Sequence, residues 1–454
     1  MSSAILIAGI ANGDEGKGKT VDYLARTKPV HTVVRYNGAS NAHHNVVTAD
    51  GRQHAFQQFG SASFVPGVRT HLSRFMLVNP TAFLSEGMHL AKYGIHDIFS
   101  RVTVERDALV TTPFQIAVNR LREMSRGRDR HGSCGLGVFE TVQDKLEQGN
   151  AVMYVRDLEN PNVLIRKLRF VQEMNRDKAA KLIGIPENDD AQLMLDVLND
   201  PSESIRCAEW FSRFIRLVTP VDDAYLTEIM QREGVAVFEG AQGVLLDEVH
   251  GFFPHCTRSD VTFRNAERML EQIGFMGGIT RMGVMRTYAT RHGAGPFMTE
   301  DAALDQTLRP EPHNKCDTWQ QDFRIGHLDP IAIKYAIEAL GGIDEIVLTH
   351  LDRLDEHTRV CSAYTAESPD ETLFATRGNR IVGIEHADAP SLQRQELITR
   401  QLTTTRAQYE TWSTERDAFI ERLEHALQTP VTVCSTGPTA DETFERSASA
   451  SRAA

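Results

Sequence analysis

Gly13-Asp14-Glu15-Gly16-Lys17-Gly18-Lys19-Thr20 satisfies the spacing G-x-x-x-x-G-K-[ST], a pattern that builds an anion site. Its glycines leave backbone N–H groups free to curl around phosphate oxygens, its lysines supply counter-charge, and a following helix adds its dipole. Carboxylates inside such a loop repel bare phosphate. Asp14 therefore reads as holding Mg2+ or as taking a proton from a substrate beside the nucleotide. An Asp that merely closes the turn or caps the helix is the plainer alternative. A second constellation is Thr349-His350-Leu351-Asp352. A Thr-x-x-Asp just past a strand can aim one carboxylate at the N1–H and 2-amino donors of guanine, a pair that adenine lacks. Ser435-Thr436-Gly437-Pro438 follows the last apolar run and either closes over the same base or is an ordinary turn.

Those groups need elements to hold them. Ala4–Ile10 is a short apolar run ending in Gly-rich turn signals, the mark of a fully buried strand, and a helix is expected from about Gly18 to Arg26. Thr32–Tyr36, Ala151–Tyr154, Val235–Phe238, Glu345–Thr349 and Val431–Cys434 also read as strands. Thr112–Glu123, Asp222–Arg232, Pro330–Leu340 and Ser413–Leu427 read as helices between them. The alternation predicts an α/β fold with a large, mostly parallel sheet, helices on both faces and a P-loop-like nucleotide site. Residues 156–216 are polar and helical in pattern and read as an insertion. No Pro/Gly/Ser linker divides the chain, so one domain over residues 1–443 is expected, with a tail from 444 to 454.

The chain has 454 residues, enough for about three domains at roughly 150 each, or for one large unit. Hydrophobic residues make up 41 % and charged residues 24 %, the balance of a globular chain. Its net charge of −12 argues against a protein that coats nucleic acid. No run approaches the ~20 apolar residues of a membrane helix. The six cysteines are scattered with no C-x-x-C pair, which disfavours a zinc ribbon and fits a reducing, cytoplasmic setting.

Taken in order, the motifs resemble the adenylosuccinate synthetase family. The resemblance rests on the 13–19 loop, Val34–His44 (ending Asn41-Ala42-His43-His44), Phe238-Glu239-Gly240-Ala241-Gln242-Gly243, Leu245-Leu246-Asp247, Thr290-Arg291 with Gly293–Phe297, and the 349–355 and 435–438 segments. It implies a Mg2+-dependent homodimeric ligase. GTP phosphorylates the 6-oxygen of a purine nucleoside monophosphate, and the amine of L-aspartate then displaces the phosphoryl group. By the same resemblance Asp14 is the base and a Mg2+ ligand, His44 the general acid, and the backbone carbonyl of His43 a second metal ligand. GTP would be held by Gly13, Glu15, Gly16, Lys17, Gly18, Lys19, Thr20, Arg324, His350, Leu351, Asp352, Ser435, Thr436 and Gly437. The acceptor nucleotide would be held by Asn41, Ala42, Ser133, Cys134, Gln242 and Thr257.

The departures lie on the acceptor side. His43 stands where the family carries Gly, and Gly132-Ser133-Cys134-Gly135-Leu136-Gly137 replaces a Gly-Thr-Thr-Gly-Arg-Gly stretch. The amino-acid loop reads Thr318-Trp319-Gln320-Gln321-Asp322-Phe323, with Asp322 where an arginine normally takes the substrate carboxylate. These forms resemble a phage branch of the family that acts on dGMP. Retention of Asp14 instead favours a purine without a 2-amino group, IMP or dIMP, so the acceptor stays open between IMP, dIMP, GMP and dGMP. An amine other than aspartate, and a GTP-binding regulator with a decayed acceptor site, are the remaining alternatives. The arginines between Arg120 and Arg130 read equally as a solvated helix end, a phosphate rim or a dimer contact, and Arg156 is the candidate to cross the dimer interface.

Overall fold

Along the opening strand, Ser2–Gly9, alternate side chains enter two different apolar layers. Ile5 and Ile7 join Val21 and Leu24 of the first helix, Lys17–Thr27. Ala4, Leu6 and Ala8 join a layer that includes Leu226, Met269, Ala336 and Leu423, from helices on the opposite face. A strand buried on both faces must be apolar along its buried length, and Ala4–Gly9 is, after the partly buried Ser2 and Ser3. Leu6 is fully buried, and truncation there to Ala costs about 2–5 kcal/mol.

This computed structural model describes residues 2–304, 308, 319 and 322–446. The main sheet has ten strands, in the spatial order 443–445, 431–435, 345–349, 278–286, 2–9, 234–243, 30–35, 69–72, 102–105 and 219–221. All neighbours run parallel except the outermost 431–435/443–445 pair. The fold is thus the α/β arrangement with helices on both faces that the apolar runs imply. Loops leaving the carboxyl ends of the central strands gather on one edge, where open parallel sheets bind ligands. A four-stranded antiparallel sheet, ordered 374–377, 380–384, 359–365 and 406–411, packs on the helix Pro330–Ala339. Residues 156–216 carry the helices Pro161–Ala179, Asp189–Asn199 and most of Ser202–Leu217.

Two expectations are corrected. Ala151–Tyr154 is not a strand: the Asp157 carboxylate accepts from the Tyr154 N–H at 2.8 Å and starts the 3-10 turn Val155–Glu159. Nor does a tail begin at 444. Thr443–Glu445 closes the sheet edge against Val433–Ser435, and Arg446 donates from its backbone to Thr432 and from its side chain to Glu424. Among the described residues no helix is long and apolar enough to cross a membrane, and the five described cysteines are free thiols.

Candidate active site

The anion loop leaves the first strand at Gly9 and enters the helix at Lys17. Gly13 (φ 119°) and Gly16 (φ 101°) take the left-handed backbone that the curl requires. Beneath it, Glu15 accepts from the Gly13 N–H at 2.6 Å and from Lys17 Nζ at 2.8 Å, with both side chains buried. Lys17 also donates to the Gly13 carbonyl, so this lysine braces the loop from below. Lys19 runs the other way, donating to Ser435 Oγ at 2.5 Å and to the Gly437 carbonyl at 2.9 Å. Burial lowers its pKa to about 8 against the opposing charge of Asp352. The first and last loops of the chain are thereby joined. Thr349 Oγ1 donates to the Glu15 carbonyl, which fixes the 349–352 loop to the same point. His350 is half-buried at φ 62° with its ring neutral, and Leu351–Arg353 form a short 3-10 turn. The Asp352 carboxylate stays about a third exposed beside Arg353 Nε, 3.2 Å away.

Two carboxylate–imidazole pairs flank the anion loop. In the first, His44 Nδ1 lies 2.5 Å from Glu239 Oε1, and both groups are buried. Glu239 also accepts from the Ser61 N–H at 3.0 Å and from the Ser61 hydroxyl. It sits in register beside Arg35, a fully buried guanidinium that donates to the Gln57 and Phe59 carbonyls. Burial presses His44 down to about 4, with the Glu239 bond opposing. Burial would raise Glu239, but Arg35 and His44 hold it at about 2. The ring is therefore neutral, with Nδ1–H on the carboxylate and a buried Nε2 that has no protein partner. A Cβ on Gly18 would stand 2.8 Å from His44 Cβ, so a glycine is what admits His44 to the helix start.

The second pair is His292 Nε2 with Asp14 Oδ2, 3.2 Å apart and each about a fifth to a quarter exposed. Burial works to raise Asp14, but the hydrogen bond and charge of His292, with Arg286 and Lys17, hold it at about 2. Arg286 Nε donates to the Asp14 carbonyl.

Around this edge, the buried Asn41 Oδ1 and Gln242 Oε1 have no protein partner, and Gln242 adopts φ 65°. Both are acceptors left for a ligand. Ala42 is buried beside them in sequence, and the Thr257 N–H donates to Leu246. Ser133 Oγ donates to Asn119 and accepts from the Gly135 N–H, while Glu123 accepts from the N–H groups of Gly132 and Ser133. Arg122 and Arg126 are spent on Glu140 and Glu123, and Arg156 on Asp107. Cys134 is half-buried in the same loop. Trp319 lies on Gly135 beneath Arg120, so this ring docks on the Ser133 loop. Thr318, Gln320 and Gln321 lie outside the described residues. The Asp322 carbonyl accepts from the Gly293 N–H, and the Phe323 ring stands 4.9 Å from that of His292. Arg324, expected on GTP, is instead engaged by both Glu300 oxygens and by the Gly293 and Gly295 carbonyls. The reason is geometric: Arg324 pairs with Arg291 across two antiparallel strands, 289–292 and 323–326, which turn it towards the 293–295 bend.

The family model for adenylosuccinate synthetase matches residues 6–444. The chain belongs to the adenylosuccinate synthetase family. It is accordingly a GTP-dependent ligase that forms a C–N bond. The adenylosuccinate synthetase of Chlorobium chlorochromatii is 30 % identical over 449 residues, which cover 98 % of this chain and 97 % of that one. That of Shewanella amazonensis is 30 % identical over 460 residues, covering 98 % and 99 %. Among solved structures, the fully ligated enzyme of Plasmodium falciparum aligns with a TM-score of 0.76 at 20 % identity, over 98 % of this chain and 99 % of that one. The cyanophage S-2L succinoaminodeoxyadenylate synthetase, solved with dGMP and dATP, aligns at 0.61 and 17 %, over 98 % and 95 %. At those identities the two structures bear on the fold.

Three contributors to this synthetase-family site were not anticipated from sequence. Glu239, itself held by Ser61, holds His44, and His292 pairs with Asp14. A carboxylate ending the apolar run Val235–Phe238 is a signal for the first, since a charge at a buried strand end needs a partner.

Proposed function

We propose that the chain joins L-aspartate to a hypoxanthine nucleotide, IMP or dIMP, and that Asp14 and His44 carry the proton chemistry. The observation that bears most weight is the ionised Asp14 carboxylate inside the anion loop, with His44 packed against the start of the same helix and its Nε2 left without a protein partner. Asp14 takes the N1 proton while the 6-oxygen attacks the γ-phosphorus of GTP. The O6–P bond forms, the bond to the bridging oxygen breaks, and GDP leaves. The aspartate nitrogen then adds at C6 and phosphate departs with the C6–O bond. A positioned base of this kind contributes about 10²–10⁴ in rate. The negative charge of a bound triphosphate opposes the burial that keeps His44 neutral, so His44 gains its proton with nucleotide in place and meets the charge developing on the leaving phosphate.

Asn41, Ala42, Gln242, Thr257, Ser133 and Cys134 are assigned to the acceptor nucleotide, and Asp352 with the 435–437 loop to guanine. The Asp14 carboxylate and the His43 carbonyl are hard oxygen donors of the kind that would hold a Mg2+. Such an ion supplies charge neutralisation of the transferred phosphoryl group. The enzyme is assigned as a cytoplasmic homodimer, to which its free thiols are suited.

The test is incubation of purified protein with GTP, Mg2+ and aspartate against IMP, dIMP, GMP and dGMP, with products read by mass spectrometry. A succinyl-purine adduct with IMP or dIMP is expected. GTP hydrolysis without any adduct, across a panel of amines, rejects the reading. One observation favours a second reading on the amine side: Asp322 replaces the usual arginine and Arg324 is committed to Glu300. Turnover with another amine in preference to aspartate would establish that version.

A further inference from the structure

We infer that His292 is a specificity-determining residue, which excludes acceptor purines bearing a 2-amino group by occupying one oxygen of Asp14. This rests on the ligase reading above and adds to it the residue that chooses between hypoxanthine and guanine acceptors.

The argument starts from what each base edge offers. Hypoxanthine presents one donor on this edge, the N1–H. Guanine presents two side by side, the N1–H and the 2-amino group, which a carboxylate meets with both oxygens in plane. Here Asp14 Oδ2 already faces His292 Nε2 at 3.2 Å. Oδ1 remains, with one lone pair for an N1–H and the other for the Mg2+ assigned above, and a single donor contact is what hypoxanthine requires. A guanine edge set against the same carboxylate would bring its 2-amino donor onto the Nε2–H, donor against donor, with the ring body in the way. A site that leaves a donor unmatched discriminates more strongly than one that merely lacks an attraction.

The ring is not easily displaced. His292 ends the strand Ala289–His292, whose register against Phe323–Gly326 places it opposite Phe323, and the two rings stand 4.9 Å apart. The neighbouring N–H of Gly293 is tied to the Asp322 carbonyl at 3.0 Å. Moving the imidazole from Asp14 thus disturbs a two-stranded ladder. Asp352 makes a useful contrast. Its Oδ2 also has a cationic neighbour, Arg353, but that is the next residue along a turn, on a long side chain about a third exposed. It can swing aside for a guanine edge. One carboxylate of the site is therefore fitted to two donors and the other to one, which separates the guanine of GTP from the purine that is modified.

Calorimetry of IMP and GMP binding to the wild-type protein and to His292→Ala tests this without relying on turnover. Wild type is expected to bind IMP at least tenfold more tightly than GMP, and His292→Ala to narrow that ratio at least tenfold. His292→Asn, which keeps a donor of smaller size, serves if the alanine variant does not fold, and should narrow the ratio less. Equal binding of both nucleotides to wild type, or an unchanged ratio in a folded variant, overturns the inference. Adduct formation by wild type is scored separately: binding that discriminates without any adduct would fault the ligase reading and leave the role of His292 intact.

Discussion

Glu239–His44 and Asp14–His292 are both carboxylate–imidazole pairs, yet their surroundings give them opposite uses. The first is buried, short at 2.5 Å, and backed by Ser61 and the Arg35 guanidinium. Every contact of Glu239 points back into the protein, so its work is to fix one tautomer of His44 and leave Nε2 forward. The second is looser at 3.2 Å and partly open. There, on the proposed reading, the carboxylate keeps an oxygen for substrate, and the imidazole is the accessory. Burial thus decides which member of each pair meets the ligand.

Five measurements break or sharpen that contrast. Replacing the open carboxylate, Asp14→Asn, removes the proton acceptor while preserving shape. Adduct formation should fall by about 10²–10⁴ with GTP affinity little changed, as read by product assay and nucleotide titration. Near-normal turnover would end the role given to Asp14. Replacing the buried one, Glu239→Gln, keeps an acceptor for Nδ1–H but removes the charge. A fall in kcat on the order of 10² is expected with little change in KM. Glu239→Ala should in addition lower stability by about 3–5 kcal/mol in a denaturant melt, because Arg35 is left buried beside no counter-charge.

A third carboxylate, Asp352, is the control for openness without an imidazole. Asp352→Asn should weaken GTP by about ten- to a hundredfold and reduce its preference over ATP, measured by competition, because two charge-assisted bonds are lost. The smallest effect is in pH. Burial holds His31, His250 and His255 near 4 and lowers His350 well below the ordinary imidazole value, so folding favours their neutral forms. The unfolded chain binds more protons below about 6.5. Stability from these rings is therefore full above pH 6.5 and declines as pH falls towards 4. Asp14 and Glu239, held near 2, contribute in a different window: their share is full above the ordinary carboxylate range near 4 and is lost only towards 2. Thermal melts from pH 7.5 to 3 should show the decline beginning on the histidine side. A flat profile to pH 4 would contradict it.

Much of the frame is legible in the sequence. Buried parallel strands need unbroken apolar runs, and Glu345–Thr349 and Val431–Cys434 supply them to within a residue. The anion loop is legible because its chemistry is local, set within eight residues. What escapes is non-local or short. Glu239 meets His44 across 195 positions, and no periodicity announces a contact of that span. The four strands between 359 and 411 mix arginine, threonine and glutamine on an exposed face, so their alternation is weak. Ala151–Tyr154 failed for the converse reason: its apolar residues are buried, but the Asp157 carboxylate turns the backbone before a strand can form.

The Lys19 bonds to Ser435 and Gly437 have a consequence in time. Parts of the nucleotide pocket 416 residues apart in the chain close on each other, so a polypeptide still emerging from the ribosome, with its last loop unmade, has an anion loop but no lid for the base. On the proposed assignment synthesis must pass residue 437 before GTP is held, and a chain clipped before residue 435 would be silent, spending no nucleotide.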